Sequence, residues 1–274
     1  GTIFRVMEQL FEYYVKGECS LANTKKDSVT VRAVDRALQI VKCFTHTENE
    51  LSLSEICQKV GLAKSTVHRL LSSLENANFI EQDYESGKYK LSFELIRLGV
   101  IASESIDLQK IARPEMERLS QKTGQTSNLY VIKDYQRLCI AQVAGPQYIK
   151  RYSYLGALLP LYAGASGKVL LAYQDEKWLE KYFKKVNLVK ITKNTITDKD
   201  QLLKELHQIR EKGYAVSLSE RDPISASVSA PIFDYSGELV AGLTVSGPTV
   251  MFTEENIKRY VNNILAATKN ISAR

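Results

Sequence analysis

LSEICQKVGLAKSTVHRLLSSL, residues 53–74, contains two helical periods separated by a glycine. In the first, Leu53, Ile56, Cys57 and Val60 fall on one side of a 3.6-residue repeat. Just before it, Ser52-Leu53-Ser54-Glu55 has the spacing of a capping box, so the spacing predicts a helix starting at Ser52. Gly61 ends it, because glycine takes the left-handed conformation of a helix C-cap without a Cβ clash. In the second period Val67, Leu70, Leu71 and Leu74 point inward along a helix from about Lys64 to Asn76. Two short helices joined by a glycine turn have the helix-turn-helix layout.

Moving outward, Val34, Ala37, Leu38, Val41 and Phe44 form a helical stripe upstream. Downstream, the alternating runs Phe79–Gln82 and Tyr89–Ser92 flank the turn residues 83–88, which is a β-hairpin signal. Three helices and a hairpin outline a winged helix. In that layout the start of the second helix of the motif enters the DNA major groove. Lys64, Ser65, Thr66, His68 and Arg69 lie there and can bond phosphates or base edges. Lys88 and Lys90 sit on the wing, and Arg32 and Arg36 at the start of the first helix are secondary phosphate candidates. The same residues could simply be a solvated helix face, and winged helices also bind proteins. Against this, no acidic residue occurs between Lys59 and Leu74, which favours an anionic partner.

The 274 residues are long for one domain, and two are expected. A hydrophobic share of 44% with 25% charged residues is that of an ordinary globular chain. The formal charge of +6 is compatible with nucleic acid, though many enzymes are as basic. Cys19, Cys43, Cys57 and Cys139 are far apart, as in reduced thiols rather than a disulfide framework. No stretch approaches the roughly 20 apolar residues of a membrane span. The N-terminus, with Arg5, Glu8 and Glu12, lacks a signal-peptide core. Together these point to a cytoplasmic protein without a membrane partner.

Residues 3–18 carry Ile3, Met7, Leu10, Phe11 and Tyr14 at helical spacing, either as a partner-binding arm or packed on their own protein. The polar residues 19–27 read as a linker. Residues 93–123 look helical, with a break near Pro114 at the first turn of a new helix. Beyond Gly124, strands are expected at Thr126–Lys133, Leu138–Val143, Tyr214–Leu218, Ser227–Phe233 and Leu239–Val245. Helices are expected at Ser166–Tyr173, Glu176–Phe183, Lys199–Lys212 and Glu254–Asn270. The outcome is an α+β domain with an antiparallel sheet.

Ala163–Lys168 (AGASGK) suggests enzyme chemistry and fails each test for it. A P-loop needs GxxxxGK[ST], but Tyr162 stands at the first glycine and Val169 follows Lys168. A nucleophile elbow needs GxSxG, which Gly164-Ala165-Ser166-Gly167 lacks. The three histidines are His46, His68 and His207, and only His207, in a charged helical run, could serve a triad here. Cys43-x-x-His46 is half a metal motif. No catalytic residue, metal or cofactor is expected. AGASGK reads instead as a small-residue turn into a helix, suited either to tight packing or to an anion at the helix start. Nearby, Ser225, Ser227 and Ser229 alternate along one strand face, as do Thr244 and Ser246 on the next strand; Ser217 and Ser219 precede them. Buried hydroxyls need partners, so such a face suits a polar pocket better than a core.

VRAVDRALQIVKCF (31–44), LSLSEICQKVGLAKSTVHRLLSSLENANFIEQD (51–83) and GKYKLSFELIRLG (87–99) resemble the DNA-binding domain of the IclR family of bacterial regulators. LGALLPLYAGASGKVLLAY (155–173) and GYAVSLSERDPISASVSAPIFDYSGELVAGLTVSGP (213–248) resemble its effector-binding domain. The resemblance covers about residues 29–272 and leaves the first 28 without a counterpart. It implies an extension at 1–28, a winged helix-turn-helix at 29–92, a helical linker at 93–106, and a GAF-like effector-binding and oligomerisation domain at 107–274. Carried over by position, the effector pocket would include Leu159, Ala165, Ser166, Ser217, Ser225, Ser227, Thr244 and Ser246, with Tyr148 and Arg151 at its mouth. Two departures stand out: Ser217 replaces an acidic residue of some relatives, and Ile224 a frequent glycine. The implied ligand is a small carboxylate or other polar metabolite. The implied partners are double-stranded DNA with an inverted-repeat operator and further copies of the chain, as dimer or tetramer, acting most often in repression. Two alternatives stay open: a regulator whose second domain serves only assembly, and an enzyme with a helical appendage.

Overall fold

A computed structural model describes residues 31–104, 107–145 and 154–274. The expected helix at 3–18, the linker after it, and Tyr148 and Arg151 lie outside the described residues. The chain divides into two compact units between Ser105 and Ile106.

The first unit comprises α1 (Arg32–Lys42), β1 (Glu50–Leu51), α2 (Leu53–Val60), α3 (Lys64–Asn76), β2 (Ile80–Gln82), β3 (Tyr89–Leu91) and α4 (Phe93–Glu104). Ile40, Ile56, Val67, Leu71, Leu74 and Ile80 meet in one core, where the expected stripes of α2 and α3 converge. On α1 the expectation is corrected: Ala37, Val41 and Phe44 pack against that core, but Val34 and Leu38 are exposed, and Ile40, outside the expected stripe, is the residue buried. The Ser52 hydroxyl accepts from the Glu55 N–H at 3.3 Å, and the Ser52 N–H donates to Glu55 Oε2 at 2.7 Å. That N–H and the Ser52 hydroxyl hold the Glu55 carboxyl below its ordinary value. Gly61 ends α2 at φ 64°. The hairpin forms with Ile80 opposite Leu91 and Gln82 opposite Tyr89. A third strand, β1, joins its outer side through Leu51 opposite Tyr89 and was not expected, because two residues carry no periodicity.

The second unit begins with α5 (Asp107–Thr123), followed by β4 (Thr126–Lys133), β5 (Gln136–Val143), β6 (Leu158–Pro160), α6 (Ala165–Ala172), α7 (Glu176–Lys185) and α8 (Lys199–Lys212). It continues with β7 (Ala215–Leu218), β8 (Ser225–Phe233), β9 (Leu239–Pro248), a 3-10 turn at Thr249–Met251 and α9 (Glu254–Ser272). The sheet runs β6-β5-β4-β9-β8-β7, and every neighbouring pair is antiparallel. Strand alternation divides its faces. On one face Ala226, Val228, Ala230 and Ile232 of β8 and Leu243 and Val245 of β9 pack with Met116 of α5 and Tyr260 and Ile264 of α9. The other face carries the polar residues of the candidate site. None of the described helices is long and apolar enough to cross a membrane.

Two expectations are corrected. Pro114 does not open a helix; it lies inside α5. Ala112, Glu115, Met116 and Leu119 are buried on both sides of it, so packing carries the helix through the missing amide bond. β6 was not foreseen: it has three residues, ends in proline, and pairs on one side only, where a proline is tolerated. Four large apolar side chains of α4 stay exposed: Phe93, Ile96, Val100 and Ile101.

Ser52→Ala removes the side-chain acceptor at the start of α2. It should cost about 1 kcal/mol, seen as faster amide exchange in α2 while α5 and α9 are unaffected.

Candidate functional site

The α3 N-terminus is open to an anion in two ways. Its N-cap is Ala63, which offers no side-chain acceptor, and its first turn has no acidic residue. The first backbone N–H groups therefore face outward with the positive end of the helix dipole. Lys64, Ser65, His68 and Arg69 are exposed around that end, and Thr66 is half-buried. Neither Lys64 nor Arg69 forms an ion pair among the described residues. On the wing, Lys88 is exposed, whereas Lys90 is half-buried and stands 3.7 Å from Glu81. Arg32 is exposed and Arg36 half-buried on α1.

In the second unit, strand register assembles the polar face. Ser217 lies opposite Ser227, Ser227 opposite Ser246, and Ser246 opposite Thr126. One row along, Ser229 lies opposite Thr244, Thr244 opposite Asn128, and Asn128 opposite Gln142. The band crosses five strands. Gln142 Nε2 donates to Asn128 Oδ1 at 2.8 Å, and Asn128 Nδ2 donates to Ser246 Oγ at 2.9 Å. Ser229 Oγ donates to the Leu243 carbonyl at 2.7 Å and lies 2.9 Å from Thr244 Oγ1. Thr244 is thus buried in the floor, while Ser225, Ser227 and Ser246 remain half-buried and accessible. Asn128, Gln142 and Thr126 escaped the sequence reading. Asn128 alone left a sign, as an amide within an otherwise strand-like apolar run.

AGASGK wraps over one end of this face. Ser166 and Leu170 lie against Gly242 of β9, one inward-facing position before Thr244. The start of α6 is set by glycines. Gly164 has φ 99°, and a Cβ on Gly167 would sit 2.1 Å from the Leu161 carbonyl oxygen. Leu159, Ala165, Ser166 and Ser217 are all buried. Beneath the turn lies a buried ionic cluster. Lys168 Nζ is 2.6 Å from Glu220 Oε1 and 3.0 Å from Glu205 Oε1, and the Gly164 N–H donates to Glu220 Oε2 at 3.1 Å. Arg137 Nη1 donates to the Ala163 carbonyl at 2.8 Å and to that of Pro160. Lys168 is therefore a structural cation rather than a phosphate ligand. Glu220 fills the anion position at the Gly164 N–H and lies three residues beyond the expected acidic site at Ser217.

The turn between β7 and β8 closes on the same cluster. The Glu220 carbonyl accepts from Thr195 Oγ1 at 2.7 Å. Burial pushes the Asp222 carboxyl above its ordinary range, against the Ile224 N–H bond and the charge of Arg221 that lower it. Ile224 itself is exposed. His207 is exposed, with Nδ1 3.5 Å from Glu211, and no group of residues able to hold a metal occurs among the described residues.

Lys168→Met or Glu220→Leu alone should destabilise the second unit by about 3–5 kcal/mol, because each strands a buried charge. The double variant should lose clearly less than the sum. Denaturant unfolding checks this; additive losses would mean that the charges are not coupled.

Two family models match the chain: an IclR helix-turn-helix domain over residues 33–84 and the bacterial transcriptional regulator IclR C-terminal domain over residues 100–273. The regulator KdgR of Escherichia coli K12 is 33% identical over 253 residues, covering 92% of this chain and 96% of its own. The transcriptional repressor IclR of Escherichia coli K12 is 26% identical over 244 residues, covering 88% of this chain and 89% of its own. The crystal structure of an IclR-type regulator from Alicyclobacillus acidocaldarius superposes with a TM-score of 0.80 at 30% identity, covering 89% of this chain and 98% of its own. A regulator of this kind is not an enzyme, and a helix-turn-helix with this family match binds DNA. The chain belongs to the IclR family of bacterial transcriptional regulators.

Proposed function

We propose that the chain is a sequence-specific repressor whose grip on DNA is set by a small polar metabolite held in the second unit. The uncapped, acid-free start of α3, ringed by Lys64, Ser65, Thr66, His68 and Arg69, carries the DNA reading. Arg69 is suited to a base edge by its planar donor fork, and Lys64 to a phosphate as a point charge. Arg32, Arg36, Lys88 and Lys90 supply further phosphate contacts. Two copies, each placing one α3 in the groove, would read an inverted repeat. The exposed apolar side chains of α4 support such pairing, since a face of this kind favours being covered.

The ligand reading rests on the polar band. Lys168 and Arg137 are turned to protein partners, and Glu220 already takes the Gly164 N–H. Recognition then falls to the hydroxyls of Ser225, Ser227 and Ser246 and the Gln142 amide. Leu159, Ala165, Ser166, Ser217 and Thr244 shape the walls. Repression is relieved if the liganded chain binds DNA more weakly, since only differential affinity shifts the equilibrium. A second reading, a domain serving assembly alone, draws on the band's own hydrogen bonds, which leave Asn128 and Thr244 satisfied without a ligand.

Arg69→Ala should weaken binding to the regulated promoter by about 1–3 kcal/mol in discrimination against other sequences, with the melting curve unchanged. Equal affinity in a mobility shift would mean α3 does not read bases. In the second unit, calorimetry against a panel of small carboxylates and polyols should find a ligand whose affinity drops about tenfold in Ser227→Val or Ser246→Val, the loss of one hydrogen bond. Binding of neutral apolar compounds alone would refute the polar-ligand reading, and no binding across the panel would favour the assembly reading.

A further inference from the structure

The positive charge of the chain is not where the helix-turn-helix is. Residues 31–104 carry nine Lys and Arg against ten Asp and Glu, whereas residues 107–274 carry 24 against 17. The densest part of that excess is the run 181–197, with five lysines and no acidic residue. On α7, Lys177, Lys181 and Lys184 follow one another at i, i+4 and i+7 and so share a face, all exposed. Exposed Glu180 lies on the same stripe, three residues after Lys177 and four before Lys184, so the face carries three cations against one anion and stays positive while the lysines repel one another. Lys190 and Lys193, in the segment after the helix, are exposed as well. None of these five lysines forms an ion pair among the described residues.

The dipole at the C-terminus of α7 favours Lys184 and Lys185 where they stand, but it opposes Lys177 in the first turn and has no bearing on Lys190 or Lys193. A firm base underlies the face. Trp178 stacks on Tyr182 at 5.6 Å, Tyr135 of the β4–β5 turn closes on Trp178 at 5.1 Å, and Lys185 lies 5.0 Å over the Tyr135 ring. The cations are lysines without a single arginine, so they offer point charges and no bidentate fork for a base edge. Their chemistry fits the evenly spaced charges of a phosphate backbone and carries no sequence information.

We propose that the lysine face of α7 and the segment after it is a second DNA-binding surface of this protein, one that contacts the phosphate backbone of duplex DNA. This rests on the reading of the chain as a DNA-binding regulator. It assigns to the second unit a direct share of the affinity, in addition to sensing.

The test uses the intact chain and duplex DNA of unrelated sequence, followed by fluorescence anisotropy across a salt series. Lys177→Gln, Lys181→Gln, Lys184→Gln and Lys190→Gln are combined in one variant, and the same four positions are changed to Arg in another. Removing one lysine–phosphate pairing should lower the slope of log K against log salt by about 0.9. The glutamine variant should show a slope smaller by about 2 or more, with affinity at low salt reduced by up to about a hundredfold. The arginine variant should restore the slope. A glutamine variant with the wild-type slope, in a protein that binds duplex, overturns this proposal and leaves the regulator reading intact. Loss of binding to poly-glutamate with the DNA slope unchanged would overturn it too and assign the face to an acidic protein. A wild type that binds no duplex at all overturns both readings. Melting curves matching the wild type show that the four exposed changes have not acted through the fold.

Discussion

A lysine ammonium with 1% of its residue surface exposed is the point on which the second unit is organised. A buried charge of that kind is costly unless it is paired and hydrogen-bonded. Lys168 meets that condition with two carboxylates from different parts of the chain, Glu205 on α8 and Glu220 after β7. The pairing fixes three elements at once. The second oxygen of Glu220 reaches the Gly164 N–H, so the charge that neutralises the lysine also sets the start of α6. Arg137, on β5 beside the edge strand β6, ties the same turn to the other half of the sheet through two carbonyls. The turn is therefore held from both sides of the sheet, and Gly167 lets it approach closely enough for this to happen.

That arrangement explains how one sheet can be a core on one face and a polar surface on the other. The alternation in β8 and β9 places Val228, Ile232, Leu243 and Val245 against α5 and α9. The same alternation must send Ser227, Ser229, Thr244 and Ser246 to the other side. There α6 packs across the strands and lies closest at Gly242, where no side chain obstructs it. The hydroxyls nearest α6 satisfy one another, and those farther along remain accessible. Buried and accessible hydroxyls are thus separated along a single strand, within two residues.

Much of this was legible in the residues. Ser52, Glu55 and Gly61 mark α2 by local chemistry that needs nothing from the rest of the chain, so its capping box and C-cap follow from a few adjacent letters. Strands β4, β8 and β9 announced themselves by alternation. Cross-strand register did not, because it is set between residues more than a hundred positions apart, such as Asn128 and Ser246. For that reason the serines could be read as a face while the amides completing the band could not. The burial of Lys168 was also illegible: its sequence neighbourhood is shared by an exposed helix start and a buried one, and its partners are 37 and 52 residues away. Pro114 shows the converse. Its local signal was strong, and packing on both sides overrode it.

The carboxylate of Glu220 has a consequence for any anion that approaches the start of α6. The protein supplies its own occupant there, and that occupant is also the counter-ion of a buried lysine. An incoming anion could take the Gly164 N–H only by releasing Glu220, and it would then inherit the task of neutralising Lys168. Displacement without replacement would leave an uncompensated charge in the interior. One carboxylate thus serves both the Gly164 N–H and the Lys168 ammonium, and neither can lose it without the other.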